Sequence, residues 1–95
     1  MLTHNQIRDA VQAIAGDYPI TKVSYFGSYA EGRQTDKSDL DVLVEFQTPF
    51  ISLLTLSAVK NRLQDNLDVS VDIIHAPLSK DAHIVIGKTV VVYEQ

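Results

Sequence analysis

Three aspartates and one glycine are the residues of this chain whose types and spacing suit catalysis. Asp39 and Asp41 stand two apart in Ser38-Asp39-Leu40-Asp41-Val42-Leu43-Val44. On a strand, that spacing turns both carboxylates to one face and Leu40, Val42 and Val44 to the other. Like charges side by side repel, and with Lys37 the one basic residue near them in sequence, an adjacent cation is the natural way to keep both ionised. Mg²⁺ suits such a place, because it takes one or two carboxylates together with substrate phosphates and water. Asp72 lies within Val69-Ser70-Val71-Asp72-Ile73-Ile74, a second strand pattern in which an acid is costly unless it faces solvent or a ligand. If the two strands are neighbours, three carboxylates share one sheet face. Such a cluster can hold two Mg²⁺ ions roughly 4 Å apart, the arrangement used for in-line phosphoryl and nucleotidyl transfer. One ion then holds a triphosphate and the other lowers the pKa of the attacking hydroxyl, with Asp72 as ligand and proton acceptor.

Upstream, a strand pattern over Ile20–Phe26 stops at Gly27-Ser28. A glycine there lets the backbone turn sharply and approach a ligand, and Ser28 begins a helical turn whose free N–H groups attract phosphate. The cradle is small and lacks the lysine of a P-loop. A Gly-Ser or an Asp-x-Asp alone is an ordinary turn; their combination with Asp72 points to chemistry.

The elements that must position these residues are legible in the periodicity. Thr3 and Gln6 form a capping-box pattern ahead of Ile7, Ala10, Val11 and Ile14, which predicts an amphipathic helix ending near Gly16. A second strand is expected over Asp39–Phe46, closed by Pro49, and a helix from Phe50 to about Gln64. On that helix Leu56, Val59 and Leu63 form one apolar side, while Ile51, Leu54 and Ala58 occupy a different arc. The wider surface fits either a deeply packed helix or a face for a partner. Val69–Ile74 is the third strand. The stretch from Leu78 to Tyr93 reads either as a hairpin through Gly87-Lys88 or as a helix over 78–86 followed by a strand. Strands alternating with helices give an α/β (α+β) fold of two layers, a small mixed sheet packed against helices, within one domain spanning residues 1–95.

The composition narrows the function. The chain has 95 residues, 45% of them hydrophobic, and no cysteine, which excludes a disulfide framework, a thiolate zinc site and a catalytic thiol. Twelve acidic and eight basic residues leave a formal charge of −4 with no basic stripe, so direct nucleic-acid binding is not expected. With no apolar run near the roughly 18 residues of a membrane span and no signal-like N-terminus, a cytoplasmic location is expected and no membrane association. His4, His75 and His83 fall into no ligand spacing; Tyr18, Tyr25, Tyr29 and Tyr93 read as sheet or loop residues.

Gly-Ser, ten residues, then Asp-x-Asp, with a later strand aspartate, resembles the signature of the DNA polymerase β-like nucleotidyltransferase superfamily. The size of the chain resembles its minimal nucleotidyltransferase (MNT) members. That resemblance implies that Gly27 and Ser28 contact a nucleoside triphosphate, that Asp39, Asp41 and Asp72 bind metal and carry catalysis, and that the helix-then-strand reading of 78–93 is the better one. Arg33, Lys37 and Ser38 are candidate nucleotide contacts beside them. The chain departs from the pattern at Glu31, where family members often carry a basic residue before the second glycine, so the positive charge for a triphosphate falls to Arg33 or Lys37. The resemblance further implies a partner: minimal nucleotidyltransferases are commonly paired with HEPN-domain ribonuclease toxins and act as antitoxins by transferring AMP from ATP to a toxin tyrosine. In a domain of 95 residues the acceptor is expected to come from another protein. The alternative is a catalytically weak or inactive binding module that neutralises its partner by contact alone.

Overall fold

The structure is a computed structural model, and it describes residues 2–35, 37–76 and 87–95. Its first helix, α1 (His4–Ala15), forms because both halves of the capping box are made. The Gln6 N–H donates to Thr3 Oγ1 at 3.2 Å and the Thr3 N–H to Gln6 Oε1 at 2.8 Å. The apolar stripe expected from the sequence, Ile7, Ala10, Val11 and Ile14, is buried together with Ala15. Replacing Thr3 by alanine removes the cap and is expected to cost about 1 kcal/mol, a fall in Tm of about 4–8 °C by thermal melting.

After Pro19 the chain enters β1 (Ile20–Phe26), turns through the short helix α2 (Ser28–Glu31), and returns as β2 (Leu40–Phe46), antiparallel to β1. Asp39 stands one residue ahead of β2. A long helix, α3 (Leu53–Leu67), then carries the chain across to β3 (Val71–Ala76), which runs parallel to β2. The last strand, β4 (Thr89–Glu94), pairs antiparallel with β1, giving the order β3-β2-β1-β4. The sheet is therefore mixed, and α1 and α3 pack together and against it. Leu40, Val42, Val44 and Val71 are completely buried beneath Ile7, Val11, Ile14, Val59 and Leu63. This is the two-layer arrangement expected from the alternating pattern, with the alternate residues of β2 left on the opposite face of the sheet. No described helix is long and apolar enough to cross a membrane.

Several boundaries differ from the sequence expectations, among them β2 beginning at Leu40 rather than Asp39 and β3 ending at Ala76 rather than Ile74. The long helix starts at Leu53 rather than Phe50, because Ser52 caps it: its hydroxyl accepts from the Thr55 N–H at 3.1 Å. It runs on to Leu67 rather than Gln64, closed by Asp68 in the left-handed conformation at φ 55°. The third strand begins at Val71 rather than Val69, where the Gln64 side chain accepts from the Val71 N–H at 3.0 Å. Of the two readings of the wide apolar surface on α3, deep packing fails at its start: Leu54 is 84% exposed, with Leu53 at 80% and Phe50 at 89%. Val90–Tyr93 do form a strand; residues 78–86, and with them the choice between helix and hairpin, lie outside the described residues.

Candidate active site

The parallel register of β2 and β3 sets Asp41 directly opposite Asp72. In a parallel ladder, paired residues turn their side chains to the same face, so the two carboxylates share the face away from the core. Leu40, between Asp39 and Asp41, is completely buried, which sends the acids on either side of it outward. Asp39 and Asp72 are exposed and Asp41 is half-buried. Burial first, then the charges of Asp72 and Asp39, push the Asp41 carboxyl above its ordinary range. The three acids thus feel one another, as expected if the two strands were neighbours.

They are not drawn into a finished cage. Among the described residues, no three His, Asp or Glu side chains stand close enough to hold a cation as they are, and no ion pair engages Asp39, Asp41 or Asp72. The donor set is nonetheless that of a hard divalent cation, all carboxylate oxygen with no thiolate. Burial, and after it the charges of Asp72 and Asp39, disfavour ionisation of Asp41, which a bound cation would offset. The residues fit Mg²⁺ in chemistry and in charge.

Gly27 sits against this cluster. It adopts φ 73°, ψ −146°, a conformation open to glycine alone, and a Cβ built there would lie 2.5 Å from Asp41 Oδ2. The turn out of β1 therefore brings bare backbone onto the carboxylate that the register aligns with Asp72. Ser28 opens α2, which has no side-chain cap, so its first N–H groups point out of the helix without intrahelical acceptors. The phosphate cradle and the acids read from the sequence are thus neighbours in space.

The remaining nucleotide candidates lie on the loop between α2 and β2. Arg33 pairs with Glu31 at 2.6 Å, on side chains 67% and 42% exposed. Its charge is engaged by the residue that departs from the family pattern. Lys37 is exposed, and its N–H donates to Thr35 Oγ1 at 3.3 Å. Ser38 ties the loop into a turn, its hydroxyl accepting from the Thr35 N–H at 2.8 Å and its own N–H donating to the Thr35 carbonyl at 3.0 Å. Ser38 thereby holds the approach to Asp39. Sequence reasoning missed Gln34, whose Oε1 is buried in this loop without a hydrogen-bond partner among the described residues. Nothing in its sequence position signals a buried acceptor.

Three of the residues set aside in the sequence are engaged elsewhere in the fold. His75 faces away from Asp72 by strand alternation and packs edge-on against Phe46 at 5.2 Å. His4 Nδ1 meets the Tyr25 hydroxyl at 2.9 Å. Tyr29, beside Ser28, is buried in the core rather than offered to a base; His83 lies outside the described residues. A cavity of about 490 Å³ between α1 and the end of α3 contains none of the constellation. A smaller groove of about 270 Å³ has Asp72 in its wall.

The profile of the nucleotidyltransferase domain family matches residues 4–89. The chain belongs to that family. Among relatives of this nucleotidyltransferase domain are two candidate protein adenylyltransferases of Methanocaldococcus jannaschii. One is 44% identical over 57 residues, 60% of this chain and 57% of the relative. The other is 34% identical over 89 residues, 88% and 89% of the two chains. Among solved structures, that of a candidate minimal nucleotidyltransferase is 32% identical, with a TM-score of 0.65 over 80% of this chain and 84% of the other. A toxin–antitoxin structure with AMP-PNP is 25% identical, TM-score 0.62, over 78% of this chain. A tri-AMPylated HEPN toxin of Shewanella oneidensis in complex with MNT antitoxin matches 98% of this chain and 74% of the other at TM-score 0.68; at 15% identity it speaks to the fold alone. The domain spans only a little over half, 57%, of the first relative and of the AMP-PNP structure's chain.

Proposed function

We propose that this chain is a Mg²⁺-dependent nucleotidyltransferase that moves AMP from ATP to a tyrosine hydroxyl of a partner HEPN-domain toxin, acting as its antitoxin. The observation that carries the reading is the β2–β3 register that sets Asp41 beside Asp72, with the Gly27 turn against the Asp41 carboxylate. Family membership, the adenylyltransferase relatives and the toxin–antitoxin structure with AMP-PNP support it. Donor and acceptor of this kind place the work in the cytoplasm.

In this reading Gly27 and the first N–H groups of α2 receive triphosphate oxygens, which no side chain could approach as closely. Asp39, Asp41 and Asp72 would hold Mg²⁺, which supplies charge neutralisation for the triphosphate and acidifies the attacking hydroxyl. Asp72, at the exposed end of the cluster, takes the phenolic proton. The acceptor oxygen forms a bond to the α-phosphorus, the bond from that phosphorus to the bridging oxygen of the β-phosphate breaks, and pyrophosphate leaves with the electron pair. The test is to incubate the protein and a co-purified partner with ATP and Mg²⁺ and take intact masses; the reading requires a gain of whole AMP units on the partner.

The Glu31–Arg33 pair favours a second reading, in which the domain neutralises its partner by contact alone, because it spends the loop's nearest cation on a protein carboxylate. Glu31→Gln tests whether this pair withholds Arg33 from the nucleotide. The pair is exposed, so stability should hardly change, but release of Arg33 should tighten MgATP binding by a few-fold, more at low salt. Calorimetry at two salt concentrations reads this directly, and an unchanged Kd at both would remove Arg33 from the nucleotide site.

A further inference from the structure

β4 closes one side of the sheet, and among the described residues no strand lies along its outer edge. Its sequence, Thr89-Val90-Val91-Val92-Tyr93-Glu94, has no charge before its last residue and no proline, two of the devices that keep an edge from pairing. β3, the other edge, carries the exposed Asp72 within the strand. The ladder with β1 fixes which backbone groups of β4 are free. The Gln95 N–H donates to the Thr21 carbonyl at 2.8 Å, so Gln95 faces inward and Glu94, by alternation, outward. Val23 and Tyr25 turn to β4 as Thr21 does; their partners Tyr93 and Val90 face inward, and Thr89 outward. Between them the ladder skips a residue: Tyr93 pairs with Val23 but Val91 with Ser24, which leaves Val92 as a bulge. The extra residue puts both ends of β4 on one face. Thr89 and Glu94 stand opposite Phe26 and Lys22, away from the helices, while Val90 and Tyr93 stand opposite the core residues Tyr25 and Val23.

We infer that β4 is a self-association edge whose occupant is the β4 of a second copy of this chain, running antiparallel across a two-fold axis. Pairing Thr89 with Glu94 and Val90 with Tyr93 joins outward backbone to outward backbone and like face to like face, along the whole strand. A strand without the bulge fails this test, because residues an odd number apart alternate between faces. The inserted Val92 restores the match. Charge is complementary in the same arrangement: Lys88, exposed just ahead of β4, comes beside the copy's Glu94 at each end of the seam. Glu94 already lies 3.6 Å from Lys22, so each carboxylate stands between two ammonium groups. A parallel copy would instead set lysine beside lysine and glutamate beside glutamate. Val91, 44% exposed, meets its own copy beside the axis, and the partly buried Val90 and Tyr93 cover each other on the helix face. The axis is normal to the sheet, so both aspartate clusters open on one face of an eight-stranded sheet. Their β2 strands are five strand spacings apart, about 24 Å.

The test is sedimentation of the full chain over a concentration series. A seam one strand long falls below the roughly 1,200 Å² of standard interfaces, so a reversible monomer–dimer equilibrium is expected. Val91→Lys sets two like charges together at the axis from an open position and should weaken dimerisation at least about tenfold. MgATP affinity should stay within about twofold of the parent, since β4 lies outside the nucleotide cradle. Lys88→Glu and Glu94→Lys should each weaken the dimer several-fold, and the double exchange should recover most of that loss. Because the chain has no cysteine, single introduced thiols read the register. Val91→Cys should cross-link to its copy under mild oxidation, whereas Thr89→Cys, about 17 Å from its copy, should not. A chain that sediments as a monomer at about 1 mM would overturn the proposal. A dimer indifferent to Val91→Lys, or cross-linking equally through positions 89 and 91, would overturn this seam. A monomer whose Thr89 and Glu94 amides are protected from hydrogen exchange would show that a different segment covers the edge, and would overturn the second copy as its occupant.

Discussion

The Asp39→Asn/Asp41→Asn double variant should lose nucleotidyl transfer by at least about 10³-fold, some 4 kcal/mol of transition-state stabilisation, while becoming more resistant to heat. Both effects have one origin. Asp41 is half-buried and faces the charges of Asp72 and Asp39, so its ionised form is disfavoured unless something cationic is present. An acid whose folded pKa is raised holds its proton more tightly in the native state than in the unfolded chain. Stability from this group is therefore lost as pH rises from the ordinary carboxylate range through the folded pKa, and at neutral pH the ionised side chain is a net burden. Asparagine removes that burden, so Tm should rise by a few degrees near pH 7 and the gain should vanish at low pH. Added Mg²⁺ should raise the Tm of the parent and leave the variant unmoved. Thermal melts across pH, with and without Mg²⁺, together with intact masses after incubation with ATP and partner, read all of this in one protein pair. A variant that still transfers AMP, or that melts earlier than the parent at neutral pH, would contradict the account of the cluster. Retained neutralisation of the partner without transfer would favour the contact-only reading.

Gly27→Ala should be the most damaging single methyl group in the chain. The residue is at φ 73°, and the added Cβ would meet Asp41 Oδ2 at 2.5 Å. Backbone strain of that kind costs about 1–3 kcal/mol, and each kcal/mol lowers Tm by about 4–8 °C in a domain of this size. The carboxylate must also move aside, and a displacement of about 1 Å at a reacting centre costs on the order of 10²-fold in rate. Gly32→Ala is the control. It has a similar φ of 72° but nothing within 4 Å of the added Cβ, so it should show backbone strain in its melting curve and leave transfer nearly unchanged relative to the stability lost. Equal loss of activity in the two variants would show that backbone strain, and not displacement of Asp41, is what matters.

Much of the fold was legible because local signals agreed with it. The capping box of Thr3 and Gln6 and the burial of Ile7, Val11 and Ile14 on one stripe needed nothing beyond the first turns of α1. The alternation around Leu40, Val42 and Val44 was equally local. The start of α3 was misplaced by three residues because Phe50 and Ile51 suit a helix by composition, while the hydroxyl of Ser52 decides where the chain turns into one. Its apolar width was read correctly, but periodicity reports which residues share a side, not whether a neighbour covers them. That is how Leu54 came to be open.

The same division runs through the site. The residue types, the outward face of Asp39 and Asp41, and the glycine turn after β1 were legible in the chain alone, since each depends on backbone geometry within a few residues. Contacts between distant parts of the chain set β3 parallel to β2 in the register that meets Asp41 with Asp72, press Gly27 on the Asp41 carboxylate, and bring Asp72 to the edge of a groove shared with Leu53 and Leu56, while the turn after α2 pairs Glu31 with Arg33. Strand register is set by how the α3 crossover docks on the sheet, a contact between residues far apart in the chain. One residue of slip would have turned Asp72 into the core and dissolved the cluster.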